Sequence, residues 1–173
     1  MKQKLAVLAC SFFILSILTM RYVSAFRTFR NGTRLLLPVV VEDVRENAYS
    51  SFARIRYYNF IPVEELVKEK GVIVVRRSDD GRIAFASSYD GQKLHPRELL
   101  LKYVVTSSSL FEKKKNSPHI HFASSVLRFS KKESFLPSAI RYAVVAVNDE
   151  GTAALIGLTD GDGTQLIRNL TFF

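Results

Sequence analysis

Residues 5–20 of this chain read LAVLACSFFILSILTM, sixteen consecutive positions without a charged side chain. As a helix rising about 1.5 Å per residue they would extend roughly 24 Å, slightly less than a hydrocarbon core of about 30 Å. Arg21 follows and can extend its guanidinium to the headgroups, while Tyr22, Val23 and Phe26 continue the apolar surface at the interface. The stretch therefore predicts a membrane-spanning helix within an N-terminal anchor over residues 1–30.

A cleaved signal sequence is the competing interpretation of the same stretch. Lys2 and Lys4 form a basic N-terminal region, and residues 23–25 are suitable for a signal peptidase that cuts after Ala25. An uncharged run of sixteen residues is long for a signal sequence, and Arg21 separates it from the cleavage site, so we favour an anchor that is kept. In both cases the rest of the chain is exported. This predicts a single-pass protein of the cell membrane with an extracytoplasmic (periplasmic) C-terminal domain.

The length and charge of the rest of the chain limit its organisation and its partners. Residues 31–173 can bury one core of their own but are too few for two comfortable domains. The formal net charge of the chain is +9, yet residues 1–34 hold six of the 25 Lys and Arg residues and none of the 16 acidic residues. The exported domain is therefore almost neutral, and the basic residues beside the predicted helix indicate the bilayer, not nucleic acid, as the partner. Cys10 is the single cysteine, so the domain can form no internal disulfide.

Short apolar segments separated by turn residues predict a mainly β domain. Residues 51–60, SFARIRYYNF, alternate between apolar and charged side chains as a half-buried strand does. Residues 78–81 and 148–151 predict two hairpin turns, because each segment ends in a glycine that accepts positive φ. We therefore expect a β-rich sandwich or partly open barrel with one short helix. Further strands are expected over residues 35–41, 72–75, 82–89, 99–105, 119–129, 139–147, 152–158 and 166–173.

Local features refine three of these segments. Pro38 has no amide donor, so the strand that contains it should lie at a sheet edge or be bulged there. Residues 42–47, EDVREN, are predicted to form a charged loop. Residues 62–71 begin with proline, continue with acids and lysines and end with glycine, which is typical of a short helix.

Residues 35–57, LLLPVVVEDVRENAYSSFARIRY, resemble the signature region of the GDYxxLxY family of membrane-anchored proteins. In that family a Pro-x-Asp-Pro-Arg-Asp loop leads into the namesake strand, which corresponds here to residues 50–57, with serines in place of its Gly and Asp and phenylalanine in place of its first Tyr. The resemblance implies an exported, membrane-anchored protein, in a family of uncharacterised function often found alongside multi-pass membrane proteins. It supplies no catalytic residues. The loop positions of the signature are occupied by Asp43, Val44, Arg45 and Glu46.

No sequence motif indicates catalysis or cofactor binding. The Gly-x-Ser-x-Gly elbow, the phosphate-binding loop and the dinucleotide fingerprint are all absent from the sequence, so we expect no cofactor and no catalytic residue. His119 and His121 are two positions apart, and on a strand both side chains would project from one face, as in some metal sites. Such a site needs a third ligand, for which His95 and Asp90 are candidates. A pair of surface histidines is the simpler interpretation. An envelope hydrolase or metal-dependent enzyme that uses this pair is the alternative function.

Asp43, Arg45 and Glu46 lie in the predicted charged loop between two apolar strands. Such a loop is either a structural corner, in which Arg45 pairs with a carboxylate or a carbonyl, or a surface that recognises a partner. The corner is the simpler interpretation, and the three residues form the possible recognition loop. Together with the predicted anchor and the absence of a catalytic motif from the sequence, they favour a non-catalytic module that binds another membrane or envelope protein.

Overall fold

The computed structural model describes residues 2–62, 66, 68–106, 119–130, 132–133 and 135–169 of the chain. The fold is mainly β, with two curled antiparallel sheets and one N-terminal helix, which confirms the expected fold class. A short 3-10 helix, Pro137–Ala139, precedes the eighth strand. The helix and strands in chain order are α1 (Lys2–Asn31), β1 (Thr33–Glu46), β2 (Ser51–Tyr57), β3 (Lys70–Arg77), β4 (Ile83–Ser88), β5 (Glu98–Thr106), β6 (His119–His121), β7 (Val126–Phe129), β8 (Tyr142–Val147), β9 (Ala153–Thr159) and β10 (Gln165–Arg168).

The two sheets enclose one hydrophobic core. The larger sheet has the strand order β10-β9-β8-β1-β2-β7, and the smaller sheet has the order β4-β3-β5-β6. Strand residues alternate between the two faces of a sheet, so every second apolar side chain points inward. In β2, for example, Ile55 and Tyr57 are buried while Arg54 and Arg56 are exposed, as their alternation predicts. The buried core residues from both sheets include Leu35, Leu37, Ile73, Val75, Leu101, Ile120, Leu127, Val145, Leu158 and Ile167.

β1 is an internal strand, so the prediction of an edge strand at Pro38 is wrong. β1 pairs with β8 as far as Pro38 and with β2 from Val39 onward. The Val39 N–H donates to the Arg141 carbonyl at 3.0 Å, while the Pro38 carbonyl accepts the Tyr58 N–H at 3.0 Å on the opposite side. Because Pro38 lies where the strand changes its partner, its missing N–H interrupts neither ladder. The register shift comes later, between Val41 and Asp43.

Both predicted hairpins are present. β3 and β4 are joined through Gly81, which has φ +84°, and β8 and β9 are joined through Gly151, which has φ +81°. Positive φ costs a glycine little because it has no Cβ, so these turns follow from local sequence chemistry. The closing segment predicted over residues 166–173 contains β10, and its last four residues lie outside the described part of the chain.

Two other segments differ from their predictions. Residues 119–129 form two strands in different sheets, β6 and β7, and not one continuous strand. The helix predicted over residues 62–71 falls partly on residues 63–65 and 67, which lie outside the described residues, and its last two residues, Lys70 and Gly71, begin β3 instead. The β-branched run VIVV at 72–75 favours a strand. Pairing with β5 starts at Lys70, so β3 also includes the two residues before this run.

The N-terminal apolar segment is helical throughout its described length. Its residues Cys10–Asn31 form one stretch of 22 residues that is long and apolar enough to span a membrane or to act as a signal sequence. The domain does not cover this surface: Phe12 and Met20 are each 73% exposed. The sequence analysis expected a long apolar helix at this position, and the structure confirms that helix.

α1 runs into β1 with a single residue, Gly32, between them. A Cβ on Gly32 would lie 2.6 Å from the Thr28 carbonyl oxygen and 2.9 Å from the Val147 amide nitrogen, so the backbones approach too closely for any other residue. Phe29 packs on a small cluster of Val144, Ala146 and Ile156 on the outer face of the larger sheet. The last turn of α1 is therefore part of the domain, with no flexible linker between helix and sheet.

Candidate functional site

The predicted recognition residues lie in the hairpin that joins β1 to β2. We call residues 43–50 the hairpin tip. The expectation of a loop over residues 42–47 is wrong, because Asp43, Val44, Arg45 and Glu46 pair with residues 54 to 51 of β2. Their charges suggested a loop, but a strand that extends past the core can carry polar side chains on both faces while its backbone stays paired.

The tip is at the far end of β1 from α1. β1 starts next to Gly32 and ends at Glu46, and at about 3.3 Å per residue its fourteen residues extend up to roughly 43 Å. A partner that binds the tip would therefore contact the domain well away from the end at which α1 enters it.

The structure brings two of the three recognition residues together and separates the third. Asp43 is paired with the exposed Arg54, so Asp43 and Arg45 lie on the outer face of the sheet. Glu46 is paired with the buried Ser51 and lies on the opposite face. The Arg45 Nε atom lies 2.6 Å from the Asp43 Oδ2 atom, and the two side chains are 73% and 38% exposed. An ion pair this exposed contributes about 0–1 kcal/mol to stability, so it orients Arg45 without holding the hairpin together.

Asn47 fixes the turn of the hairpin. Its Oδ1 atom accepts the backbone N–H groups of Tyr49 at 2.9 Å and Ser50 at 2.8 Å, and its own N–H donates to the Ser50 carbonyl at 3.0 Å. Arg128 of the neighbouring strand β7 donates from Nε to the Ser50 Oγ atom at 3.2 Å. These hydrogen bonds pair polar groups of the turn with other groups of the domain, so the conformation of the turn does not depend on a partner.

Tyr49 is the functional candidate that the sequence analysis missed. It is 90% exposed, on a turn whose neighbours Asn47 and Ser50 are tied to the sheet. Asn47 was the available signal, because an asparagine between two alternating segments predicts a turn with an exposed central residue. An exposed tyrosine on a pre-ordered turn, in a hairpin tip that also presents the exposed Arg45, supplies two of the residue types that are enriched in protein-binding hot spots.

His119 and His121 project from the outer face of β6, since Ile120 between them points into the core. Partial burial lowers the pKa of His121, the neighbouring His119 lowers it further, and Glu42 opposes both effects. The neutral imidazole that results could bind a metal, but two ligands are too few.

Neither proposed third ligand completes a metal site with the histidine pair. The backbone N–H of His95 donates to Glu98 at the start of β5, whereas His119 and His121 face Thr106 and Val104 at its other end. Six to eight strand residues separate these positions, roughly 20–26 Å. Asp90 accepts hydrogen bonds from Gln92, two residues away. Within the described residues, no three His, Cys, Asp or Glu side chains are placed to hold a metal ion.

Comparison of the chain with protein-family models, with curated proteins and with solved structures finds no match in any of the three.

Proposed function

We propose that this chain is a single-pass membrane protein whose β domain lies outside the cytoplasm and binds another envelope protein through the hairpin tip. The domain is a non-catalytic interaction module in this proposal. α1 is the anchor and is not removed. The partner is a membrane or envelope protein, and nucleic acid is not a ligand.

The direct passage from helix to sheet is the observation that carries the proposal. A domain joined to its anchor by Gly32 alone, and packed against the anchor through Phe29, cannot swing freely. It presents the hairpin tip at a set distance and orientation from the membrane, which suits a partner held in the same membrane. Pre-ordering of both the domain and the tip lowers the entropy lost on binding.

The position of the signal peptidase site supports an anchor that is kept. Ala25 and Phe26 are half-buried within the continuous helix α1, one turn before Thr28 and Phe29 pack on the sheet. Cleavage after Ala25 would leave a helix of only six residues, 26–31, to cover that part of the sheet. An isolated helix of this length has little stability of its own.

The resemblance to the GDYxxLxY family agrees with the same function. Residues 35–57, which carry the resemblance, form β1, the hairpin tip and β2. In this proposal the signature of the family is the hairpin that binds a partner, and the resemblance implies a multi-pass membrane protein as the class of partner.

Site-specific photo-crosslinking tests the proposal. A photoreactive amino acid replaces Tyr49 in the full chain, expressed at its native level in its own membrane. We expect one covalent adduct of discrete mass, and we expect Arg45→Glu to reduce its yield because the substitution reverses a charge of the hairpin tip. The matched control is the same amino acid at Tyr58, which is 56% exposed but outside the tip. Equal labelling at both positions, or none at Tyr49, would show that the tip does not bind a partner.

The membrane anchor is tested separately. We expect the chain to resist extraction by high salt and carbonate and to require detergent, and its intact mass to include residues 1–25. A mass that begins at Phe26 would show a cleaved signal sequence. The orientation is tested with a C-terminal reporter that functions only in the cytoplasm. Activity of this reporter would contradict the proposed orientation.

The enzyme alternative stays a hypothesis with its own test. Metal analysis of the purified chain, followed by His121→Ala, decides it. One zinc ion per chain that is lost in the variant would replace the interaction module by a metal-dependent enzyme.

A further inference from the structure

An open groove of about 750 Å³ lies between the end of α1 and the turn that joins β8 to β9. Its helix wall includes Met20, Val23 and Arg27, and its other wall includes Asp149 and Glu150. The groove is closed at its base, where the Asn148 Nδ2 atom donates to the Thr28 Oγ1 atom at 3.2 Å. One groove thus combines apolar, cationic and anionic side chains.

If α1 is the anchor, the depth of the groove matches the lipid interface, so the inference rests on that part of the proposed function. The groove extends along α1 from Asn31 to Thr19, twelve residues or about 18 Å. Hydrocarbon ends near Arg21, where the uncharged run stops, and the headgroup layer beyond it is roughly 5–8 Å thick. The apolar end of the groove therefore lies at acyl-chain depth, and its charged end lies at or just outside headgroup depth.

The charges of the groove favour one class of lipid. Arg27 is exposed and can donate a forked pair of hydrogen bonds to a phosphate. Asp149 and Glu150 on the facing wall are exposed carboxylates that can accept hydrogen bonds from an ammonium group. Glu150 lies 3.8 Å from Lys102, and Asp149 has no ion pair among the described residues. One wall of the groove thus offers a cation to a phosphate, and the facing wall offers carboxylates to an amine.

We propose that this groove binds the headgroup of a phospholipid that carries a primary amine, such as phosphatidylethanolamine. Met20 contacts the acyl chain, Arg27 binds the phosphate, and Asp149 with Glu150 binds the ammonium group. A lipid that is only anionic would bring its headgroup against two carboxylates. A quaternary amine has no N–H to donate to them, so a choline lipid gains less than an ethanolamine lipid.

Native mass spectrometry of the full chain tests the assignment. The detergent-purified, lipid-depleted chain is mixed with equimolar phosphatidylethanolamine, phosphatidylglycerol and phosphatidylcholine that have identical acyl chains. We expect the one-lipid adduct with phosphatidylethanolamine to exceed each of the others about tenfold, the effect of one charge-assisted hydrogen bond network. Arg27→Gln should lower this adduct about tenfold. The double variant Asp149→Asn, Glu150→Gln should remove the preference for ethanolamine while the phosphate is still bound.

Matched variants separate the groove from general charge effects. Arg30→Gln removes an equally exposed arginine one turn away that does not line the groove, and Asp162→Asn removes a carboxylate from a distant turn. Both should retain the phosphatidylethanolamine adduct within about twofold. Equal retention of the three lipids, a preference for phosphatidylglycerol, or equal losses in Arg27→Gln and Arg30→Gln would overturn the inference. A chain that needs detergent for extraction but shows no lipid preference would refute only this inference, whereas carbonate extraction would refute the anchor as well.

Discussion

Tyr57→Phe is expected to destabilise the domain near neutral pH and to stabilise it at strongly alkaline pH. Tyr57 is 2% exposed, its ring contacts Phe122 edge-to-face at 5.8 Å, and its hydroxyl donates to the Ser124 carbonyl at 2.9 Å. Phenylalanine keeps the ring and its packing and removes only the hydroxyl. Because Ser124 is exposed, water can reach its carbonyl, so the loss should be about 0.5–1.5 kcal/mol and not the larger cost of a buried unpaired group.

The sign of the effect changes because burial raises the pKa of Tyr57 above its ordinary value. In the unfolded chain Tyr57 loses its proton near pH 10, while the folded chain keeps it protonated. Between the two pKa values the folded state binds more protons, so its stability falls as pH rises, by about 1.4 kcal/mol per pH unit. The stabilising contribution of the native tyrosine is complete below pH 10 and is cancelled at about pH 11, where the two proteins should be equally stable.

Urea unfolding of the full chain in mild detergent, followed by far-UV circular dichroism between pH 8 and pH 11.5, measures both effects. At pH 8 the free energy of unfolding of the variant should be about 0.5–1.5 kcal/mol lower than that of the native protein. The control is Tyr58→Phe, because the adjacent Tyr58 is 56% exposed and should change stability by less than about 0.5 kcal/mol at every pH. A stability difference between Tyr57→Phe and the native protein that is constant across this range would refute the reasoning, because it would mean that Tyr57 ionises as readily in the folded chain as in the unfolded one.

Four further predictions concern the core, the helix junction and the histidine pair. Leu101→Ala should cost about 2–5 kcal/mol in urea unfolding because Leu101 is fully buried, whereas Leu136→Ala, at a position 72% exposed, should change stability by less than about 0.5 kcal/mol; similar values would contradict the described core. Gly32→Ala should expose the end of α1 to protease because its Cβ would meet backbone atoms on two sides, while Gly161→Ala, whose Cβ would meet only Arg141 Cγ at 3.8 Å, should leave the digestion pattern unchanged. Asn148→Ala should speed amide hydrogen exchange at the last turn of α1, because it removes the bond to Thr28, and unchanged exchange there would show that this bond does not hold the helix. NMR titration should place the pKa of His121 below 6.5. The folded state then binds a proton less readily than the unfolded state, so the domain should lose stability as pH falls below about 6.5. His121→Gln should reduce that loss.

Local chemistry was sufficient to predict much of this protein. The uncharged run over residues 5–20 predicts a helix long and apolar enough to span a membrane or to act as a signal sequence, because length and hydrophobicity are local properties of the sequence. The two hairpins follow from glycines 81 and 151, since the turns need positive φ. The alternation of residues 51–57 predicts which side chains of β2 face the core. In each case the deciding interaction lies within a few residues of the chain.

The features that the sequence did not reveal depend on distant parts of the chain. The charged residues 43–46 form a strand because β2 offers them backbone partners, and nothing in their own composition indicates that pairing. Pro38 lies inside a sheet because the pairing of β1 with β8 ends at Pro38 and its pairing with β2 begins at the next residue. Residues 119–129 are divided between two sheets that curl around one core. The exposure of Tyr49 and the groove beside α1 likewise exist only after folding. The sequence by itself determined the elements that periodicity, turn chemistry and hydrophobicity encode locally. The tertiary structure alone decided pairing, partner exchange and the assembly of surfaces, because their free energy comes from contacts between residues far apart in the chain.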